Sequence, residues 1–182
     1  MSKNFWVISD THFNHEAILG FETDGKKRGD DFDTAQEMNE RIIDNWNRVV
    51  MPGDHVYHLG DVLFGLDKDE WMNRHWSRLH GKKRLIVGNH DNIKSLARGG
   101  WFSKIELWRQ FREFGLVLTH VPIHESGLYN NRHGDKTDQK TFLNVHGHIH
   151  YQKSPTKHHK CVCVEQTNYT PVNLEDLRII KA

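Results

Sequence analysis

Phe5-Trp6-Val7-Ile8-Ser9-Asp10-Thr11-His12 carries four apolar residues that stop at an Asp-x-His cluster. A short run of β-branched and aromatic residues cut off by polar groups reads as a buried strand. The same arrangement returns four more times. Val56-Tyr57-His58-Leu59 runs into Gly60-Asp61, and Leu85-Ile86-Val87 into Gly88-Asn89-His90-Asp91. Leu116-Val117-Leu118-Thr119 runs into His120, and Phe142-Leu143-Asn144-Val145 into His146-Gly147-His148-Ile149-His150. Gathering Asp, Asn and His at the same end of five strands builds one polar site, and those residue types suit metal ions.

Helical segments separate the first strands. Thr34 is placed to cap a helix through about Val50, with Met38, Ile42, Trp46 and Val49 on one buried stripe; Pro52-Gly53 ends it. A second amphipathic stretch covers about Asp67 to Leu79, with Trp71, Met72 and Trp76 facing the core, and Gly81 stops it. A shorter helix follows Asp91 through Ile93, Leu96 and Ala97 to Gly99-Gly100. This alternation is a parallel-sheet rhythm. The second half is β-rich, with strand-like runs at about 104–108, 111–113, 116–119, 142–146 and 161–165. Pro171, Asn173 and Asp176 mark a short capped helix near the end. The expectation is an α/β (α+β) fold of two β-sheets packed face to face with helices outside, in one domain over 1–182.

The composition is 36% hydrophobic and 27% charged, with a formal net charge of +1. That balance offers no electrostatic footprint for stable nucleic-acid or membrane binding. The first strand starts too early for a signal peptide, and no apolar stretch approaches the roughly 18 residues of a membrane span. A cytoplasmic protein is expected, in the host cytoplasm if the gene is a phage's; the oligomeric state is open. Cys161 and Cys163 alternate with valines on one strand face and read as free core thiols, as a reducing compartment allows.

Histidine is the outlier, with 15 copies in 182 residues. His58 lies within a strand and reads as a hydrogen-bonded core side chain. His55, His75, His80 and His133 sit in polar context and read as surface. Two long polar loops, 20–33 and 121–141, leave from the proposed metal-binding edge and are placed to border a substrate. The first carries Lys26, Lys27 and Arg28, for which solvated surface is the plain expectation. The second carries His124, Tyr129, Asn130, Asn131, Arg132 and His133.

Asp10 and His12 bring a hard carboxylate and an imidazole to one cation. Gly60 permits a tight turn that lets Asp61 project between two ions and bridge them. Asn89 supplies an amide oxygen, His120 and His148 supply nitrogens, and His150 turns toward the neighbouring ion. Oxygen and nitrogen ligands without thiolates favour Mn²⁺, with Fe, Zn²⁺ or Ni²⁺ as alternatives. Two carboxylates against two divalent cations leave surplus positive charge, which attracts phosphate. Two ions ~3.5–4 Å apart can activate a water and clamp an in-line phosphoryl displacement. His90 is adjacent to a ligand but points past it, where it can donate a proton to the leaving group or stabilise the equatorial oxygens. Asp91 reads as structural, tying the turn to the following helix or orienting an imidazole.

Taken in order, Asp-x-His, Gly-Asp, Gly-Asn-His-Asp, a strand-end His and Gly-His-x-His resemble the calcineurin-like metallophosphoesterase signature. The resemblance runs from Asp10 to His150. It implies the metallo-dependent phosphatase fold, a four-layer αββα sandwich of two mixed β-sheets flanked by helices. It implies Asp10, His12, Asp61 and His150 on one metal, Asp61, Asn89, His120 and His148 on the other, and His90 as catalytic histidine. His15 and His124 are candidate substrate-binding residues. Protein Ser/Thr phosphatases continue the second motif with Asp-Arg and end the third in Glu. Here Val62-Leu63-Phe64-Gly65 follows Asp61 and the third motif ends in Asp91, so the chain resembles instead the small, uncapped phosphoesterases of bacteria and their phages. The implied activity is hydrolysis of phosphomono- or phosphodiesters of small, nucleotide-like substrates by a hydroxide bridging the two ions. A small nuclease acting on short or single-stranded nucleic acid and a catalytically silent metal-binding scaffold are the alternatives. The six tryptophans could stack bases, but Trp46, Trp71 and Trp76 fall on helical core stripes.

Overall fold

Four short parallel strands form the centre of the first sheet: β1 (Phe5–Ile8), β2 (His55–His58), β3 (Lys82–Ile86) and β4 (Ile105–Glu106). The computed structural model describes residues 3–65, 68–129 and 141–180. A second sheet contains β5 (Trp108–Phe111), β6 (Leu116–Thr119), β7 (Leu143–His146) and β8 (His159–Cys161). Finally β9 (Val172–Asn173) returns antiparallel to β1, giving the orders β4-β3-β2-β1-β9 and β5-β6-β7-β8. In the second sheet β5 is antiparallel to β6, while β6, β7 and β8 are parallel. Both sheets are therefore mixed, and helices flank them.

Strand alternation explains the packing. From β1 and β2, Val7 and Tyr57 face the second sheet and meet Phe111, Leu116, Leu118 and Val145 in one buried cluster. Their neighbours Ile8 and Val56 face the other way, against Met38, Ile42, Trp46, Met72, Trp76 and Leu96. Those residues come from α1 (Ala35–Val49), α2 (Lys68–His75) with its 3₁₀ extension Trp76–Arg78, and α3 (Ile93–Gly99). Thr34 Oγ1 accepts from Glu37 N and caps α1, and Asn92 caps α3 through Ser95 N. Trp46, Met38 and Ile42 are fully buried, each worth about 1.5–3 kcal/mol of transfer free energy. Trp71 stacks on Phe13 with ring centroids 4.8 Å apart. No helix among the described residues is long and apolar enough to cross a membrane.

Several expected elements are divided differently. The run 104–108 is two strands in two sheets, because Ile105 and Glu106 pair with Leu85 and Ile86 while Trp108 pairs with Thr119. Leu107 makes the crossover and is 74% exposed. The strand expected at 161–165 ends at Cys161; Cys163 bridges to Ser9 and Val164–Gln166 turns as a 3₁₀ helix. The expected final helix is the strand β9 followed by one 3₁₀ turn, Leu174–Leu177. Asp67, Asn130, Asn131, Arg132 and His133 lie outside the described residues.

Of the histidines assigned to surface, the described ones, His55, His75 and His80, are half-buried. His55 stacks on Phe5, His75 on Trp71, and His80 Nδ1 lies 3.1 Å from the Val50 carbonyl. Arg28 is the larger correction. Lys26 and Lys27 are exposed as expected, but Arg28 is 1% exposed, inside the protein beneath the first cluster.

Candidate metal centre

All the polar clusters leave the C-terminal ends of parallel strands: β1, β2 and β3 in one sheet, β6 and β7 in the other. Ligand sites of α/β sheets form at such ends, where the chains turn away and expose backbone and side-chain donors. The turns are sharp. Asp10, His12, Asp61, His148 and His150 all have left-handed backbone, with φ of 56°, 46°, 54°, 71° and 49°. Non-glycine residues in that region cost of order 1–3 kcal/mol each and persist only when the surroundings over-determine them. Gly60 and Gly147 let the turns close: a Cβ at Gly60 would lie 2.4 Å from Gly88 N, and one at Gly147 would lie 2.2 Å from Asp10 Oδ2.

Each carboxylate has one oxygen occupied and one turned inward. Asp10 Oδ2 accepts from Ser9 Oγ, from His148 N at 2.9 Å and from Cys163 Sγ at 3.3 Å. Its Oδ1 lies 4.0 Å from His12 Nε2 and 3.9 Å from His150 Nε2. Asp61 Oδ1 accepts from His90 N at 2.9 Å. Its Oδ2 lies 3.8 Å from His12 Nε2 and 3.4 Å from His120 Nε2. On the far side Asn89 Oδ1 lies 2.8 Å from His120 Nε2 and 2.9 Å from His148 Nδ1. The structure thus brings Asp10, His12, Asp61, Asn89, His120, His148 and His150 together, with Asp61 Oδ2 between two groups. Ligand atoms of Asp10, His12 and His150 lie within 4.8 Å of one another, as do those of Asp10, Asp61 and His120, so Asp10 reaches both groups.

Hydrogen bonds on the outer side fix which ring nitrogens point in. His120 Nδ1 donates to the Leu59 carbonyl at 2.7 Å and His150 Nδ1 to Glu165 Oε1 at 2.8 Å. Both leave Nε2 facing the carboxylates, the arrangement by which metal-binding imidazoles are oriented. Asp10 Oδ1 and His12 Nε2 are buried without a hydrogen-bond partner among the described residues. Buried polar atoms are nearly always satisfied, and inward lone pairs on oxygen and nitrogen repel unless a cation lies among them. The donor set therefore fits divalent metal ions. A proton stands in for that charge at His120: burial alone would lower its pKa, but Asp61 and Asp10 outweigh it and raise it to about 9. Burial raises the Asp10 carboxyl, and burial with Arg28 nearby keeps the His12 imidazole neutral.

Arg28 and Glu165 form the floor of the site; the sequence pattern reads Arg28 as solvated surface and does not single out Glu165. Arg28 Nη2 lies 2.7 Å from Glu165 Oε1, and both side chains are 1% exposed. The guanidinium also donates to the carbonyls of Asp10 at 2.6 Å and Thr11 at 3.0 Å, holding the left-handed turn. Burial by itself would raise the Glu165 carboxyl, yet Arg28 and His150 hold it down to about 2. A signal for Glu165 did exist: Cys161-Val162-Cys163-Val164 is a further apolar run that ends in a charged group. Arg28, in a polar loop, had none.

The remaining residues are placed as follows. Asp91 ties the turns together, accepting from Gly88 N at 2.8 Å, Asp61 N at 3.1 Å and Val62 N at 3.0 Å. His58 is a core residue: Gly60 N donates to its Nδ1, leaving Nε2 to donate to Thr11 Oγ1 at 2.9 Å. His90 is exposed at the rim, its ring edge-on to Phe64 at 4.8 Å and 6.1 Å from the His12 ring. His15 stacks on Phe64 at 4.1 Å and contacts His12 Nδ1 at 3.1 Å. His124 caps the 3₁₀ turn Glu125–Gly127 through Ser126 N and makes no side-chain contact with the cluster among the described residues.

Comparisons with known proteins bear on the family of the chain. The chain is 31% identical over 180 residues to the uncharacterized protein MJ1445 of Methanocaldococcus jannaschii, covering 95% of this chain and 88% of that protein. It is 25% identical over 178 residues to the Gene 66 protein of Mycobacterium phage L5, covering 86% and 82% of the two. A crystal structure of AQ665, a protein of unknown function from Aquifex aeolicus, superposes with a TM-score of 0.70 at 25% identity, over 97% of this chain and 98% of that one. The family model for calcineurin-like phosphoesterases matches residues 3–178, nearly the whole described chain, and this protein belongs to that family.

Proposed function

We propose that the protein is a dimetal-dependent phosphoesterase that hydrolyses phosphomono- or phosphodiester bonds of small, nucleotide-like substrates. The supporting observation is the convergence of His12, His120 and Asp61 Oδ2, with Asp10 Oδ1 and His150 closing one side and Asn89 with His148 the other. In this reading Asp10, His12, Asp61 and His150 hold one ion, and Asp61, Asn89, His120 and His148 hold the second. Mn²⁺ is the first choice for such a donor set, with Fe, Zn²⁺ and Ni²⁺ as alternatives. Bound there, the two cations supply an activated water and an electrostatic clamp on the transferring phosphoryl group. The protein's own part is orientation. Leu59 O and Glu165 aim His120 and His150, while Arg28 and Asp91 fix the turns that present Asp10 and Asp61.

His90 is the proton donor in this reading. Its backbone is pinned to Asp61, yet its ring stands at the solvent-facing rim and makes no side-chain hydrogen bond to a described residue. That leaves it available to a leaving-group oxygen entering from outside. The free, buried thiols of Cys161 and Cys163 fit work in a reducing cytoplasm.

The test is hydrolysis of p-nitrophenyl phosphate and bis-p-nitrophenyl phosphate by Mn²⁺-loaded protein, with metal content measured on the same sample. Turnover with about two ions per chain, lost in EDTA and restored by Mn²⁺, is expected. Absence of turnover with Mn²⁺, Fe²⁺, Zn²⁺ and Ni²⁺ in protein that holds the metals would refute it.

A further inference from the structure

One face of β5 and β6 is unlike the rest of the second sheet. The inner residues Phe111, Leu116 and Leu118 pack against the first sheet, while Trp108, Gln110, Val117 and Thr119 point outward. There they line a cavity of about 620 Å³ that runs directly into the candidate metal centre, because Asn89 and His120 form part of its wall. Val87, Leu107, Val121 and Ile123 complete its apolar sides. Its size falls within the roughly 300–1,000 Å³ typical of small-molecule sites.

Its chemistry is selective. Among the described residues that line it there is no lysine, arginine, aspartate or glutamate. A second phosphate or a polyanionic strand would find no cation among these described residues. Trp108 is 59% exposed and has no ring partner among the described residues, unlike Trp46, Trp71 and Trp76. With Leu107 beside it, it presents an apolar face at the rim. Gln110 and Thr119 supply the polar groups deeper in the cleft, the Thr119 hydroxyl already donating to the Val121 carbonyl at 2.6 Å. Large apolar surface left open in this way marks a binding site.

Resting on the phosphoesterase reading, we infer that this cleft is the subsite for the organic group of the ester, and that it takes a planar, uncharged ring system stacked on Trp108. A nucleobase and a simple aryl group share that chemistry. Trp108 is then a specificity residue, acting on ring recognition rather than on the phosphoryl group.

The experiment uses phosphate-free ring compounds and EDTA-treated full-length protein, so that binding is read without metal or turnover. Adenosine, thymidine, p-nitrophenol and cyclohexanol are titrated by ligand-observed NMR against wild type, Trp108→Ala and Trp108→Phe. The aromatic compounds are expected to bind wild type, to lose about tenfold in affinity in Trp108→Ala, as stacking energies imply, and to be retained in Trp108→Phe. Tighter binding of the nucleosides than of p-nitrophenol identifies a base; the reverse order identifies an aryl group. Equal affinity in wild type and Trp108→Ala, cyclohexanol binding as well as the rings, or no ring binding at all would overturn the subsite. Trp108-dependent binding in a protein that hydrolyses nothing under any metal would retire the phosphoesterase reading and leave the subsite standing. Turnover indifferent to Trp108 and to the ring would do the opposite.

Discussion

Replacing Arg28 by Met keeps an unbranched chain beside Met38 but deletes the guanidinium that neutralises Glu165. The carboxylate is 1% exposed and cannot recover its hydration without opening the site. Removing one partner of a buried ion pair costs about 3–5 kcal/mol. The Asp10 and Thr11 carbonyls lose their Arg28 donors as well, at about 1–3 kcal/mol for each acceptor left unsatisfied. His150 Nδ1, still 2.8 Å from Glu165 Oε1, offsets part of this by carrying a proton. The net expectation is a loss of about 4 kcal/mol, set by the ion-pair cost, out of the 5–15 kcal/mol typical of a domain. Urea unfolding of EDTA-treated protein, followed by far-UV circular dichroism, measures it as a lower midpoint at unchanged slope. In thermal melts the same loss is about 10 °C. A cycle with Glu165→Gln and the double variant isolates the pair: the double should be less destabilised than the two singles summed. A loss below about 1 kcal/mol for Arg28→Met, well under the buried-pair range, or strictly additive costs, would refute the claim that this pair holds up the site.

The other predictions concern the site itself and its pH response. Asp61→Asn should weaken both ions together, by more than the roughly 10–100-fold that loss of a supporting hydrogen bond costs; metal titration by calorimetry showing only one ion affected would contradict the bridging position. His90→Ala should keep two metals per chain while kcat falls about 10²–10⁴-fold, and loss of metal in elemental analysis would make His90 a ligand instead. Burial pushes the His58 pKa from 6.5 down to about 3. The unfolded chain therefore takes up a proton that the folded one refuses, and this residue's contribution to stability drains away as pH falls from 6.5 toward 3. The stability advantage of wild type over His58→Gln should shrink across that window in metal-free protein, and a constant difference would show that His58 is not the group responsible.

How much of this was legible in the sequence follows from how local each signal is. Strand ends and their polar clusters can be read because period-two burial and an abrupt switch to Asp, Asn and His occupy a few adjacent residues. Helix α1 was readable for the same reason, with Thr34 as its cap and Met38, Ile42 and Trp46 on one stripe. The split of 104–108 was not, since Ile105 and Trp108 look alike in a strand and only their partners, Leu85 and Thr119, put them in different sheets.

The sequence by itself determined the architecture of two sheets and the identity of the donors gathered at their ends, because hydrophobic alternation and ligand chemistry are properties of neighbouring residues. Only the tertiary structure decided that Arg28 is buried, that Glu165 aims His150, and that Trp108 opens a cleft beside Asn89 and His120. The Arg28–Glu165 contact spans 137 positions along the chain. Whether a charge is solvated or buried depends on what folds over it, and no local pattern of residues carries that information.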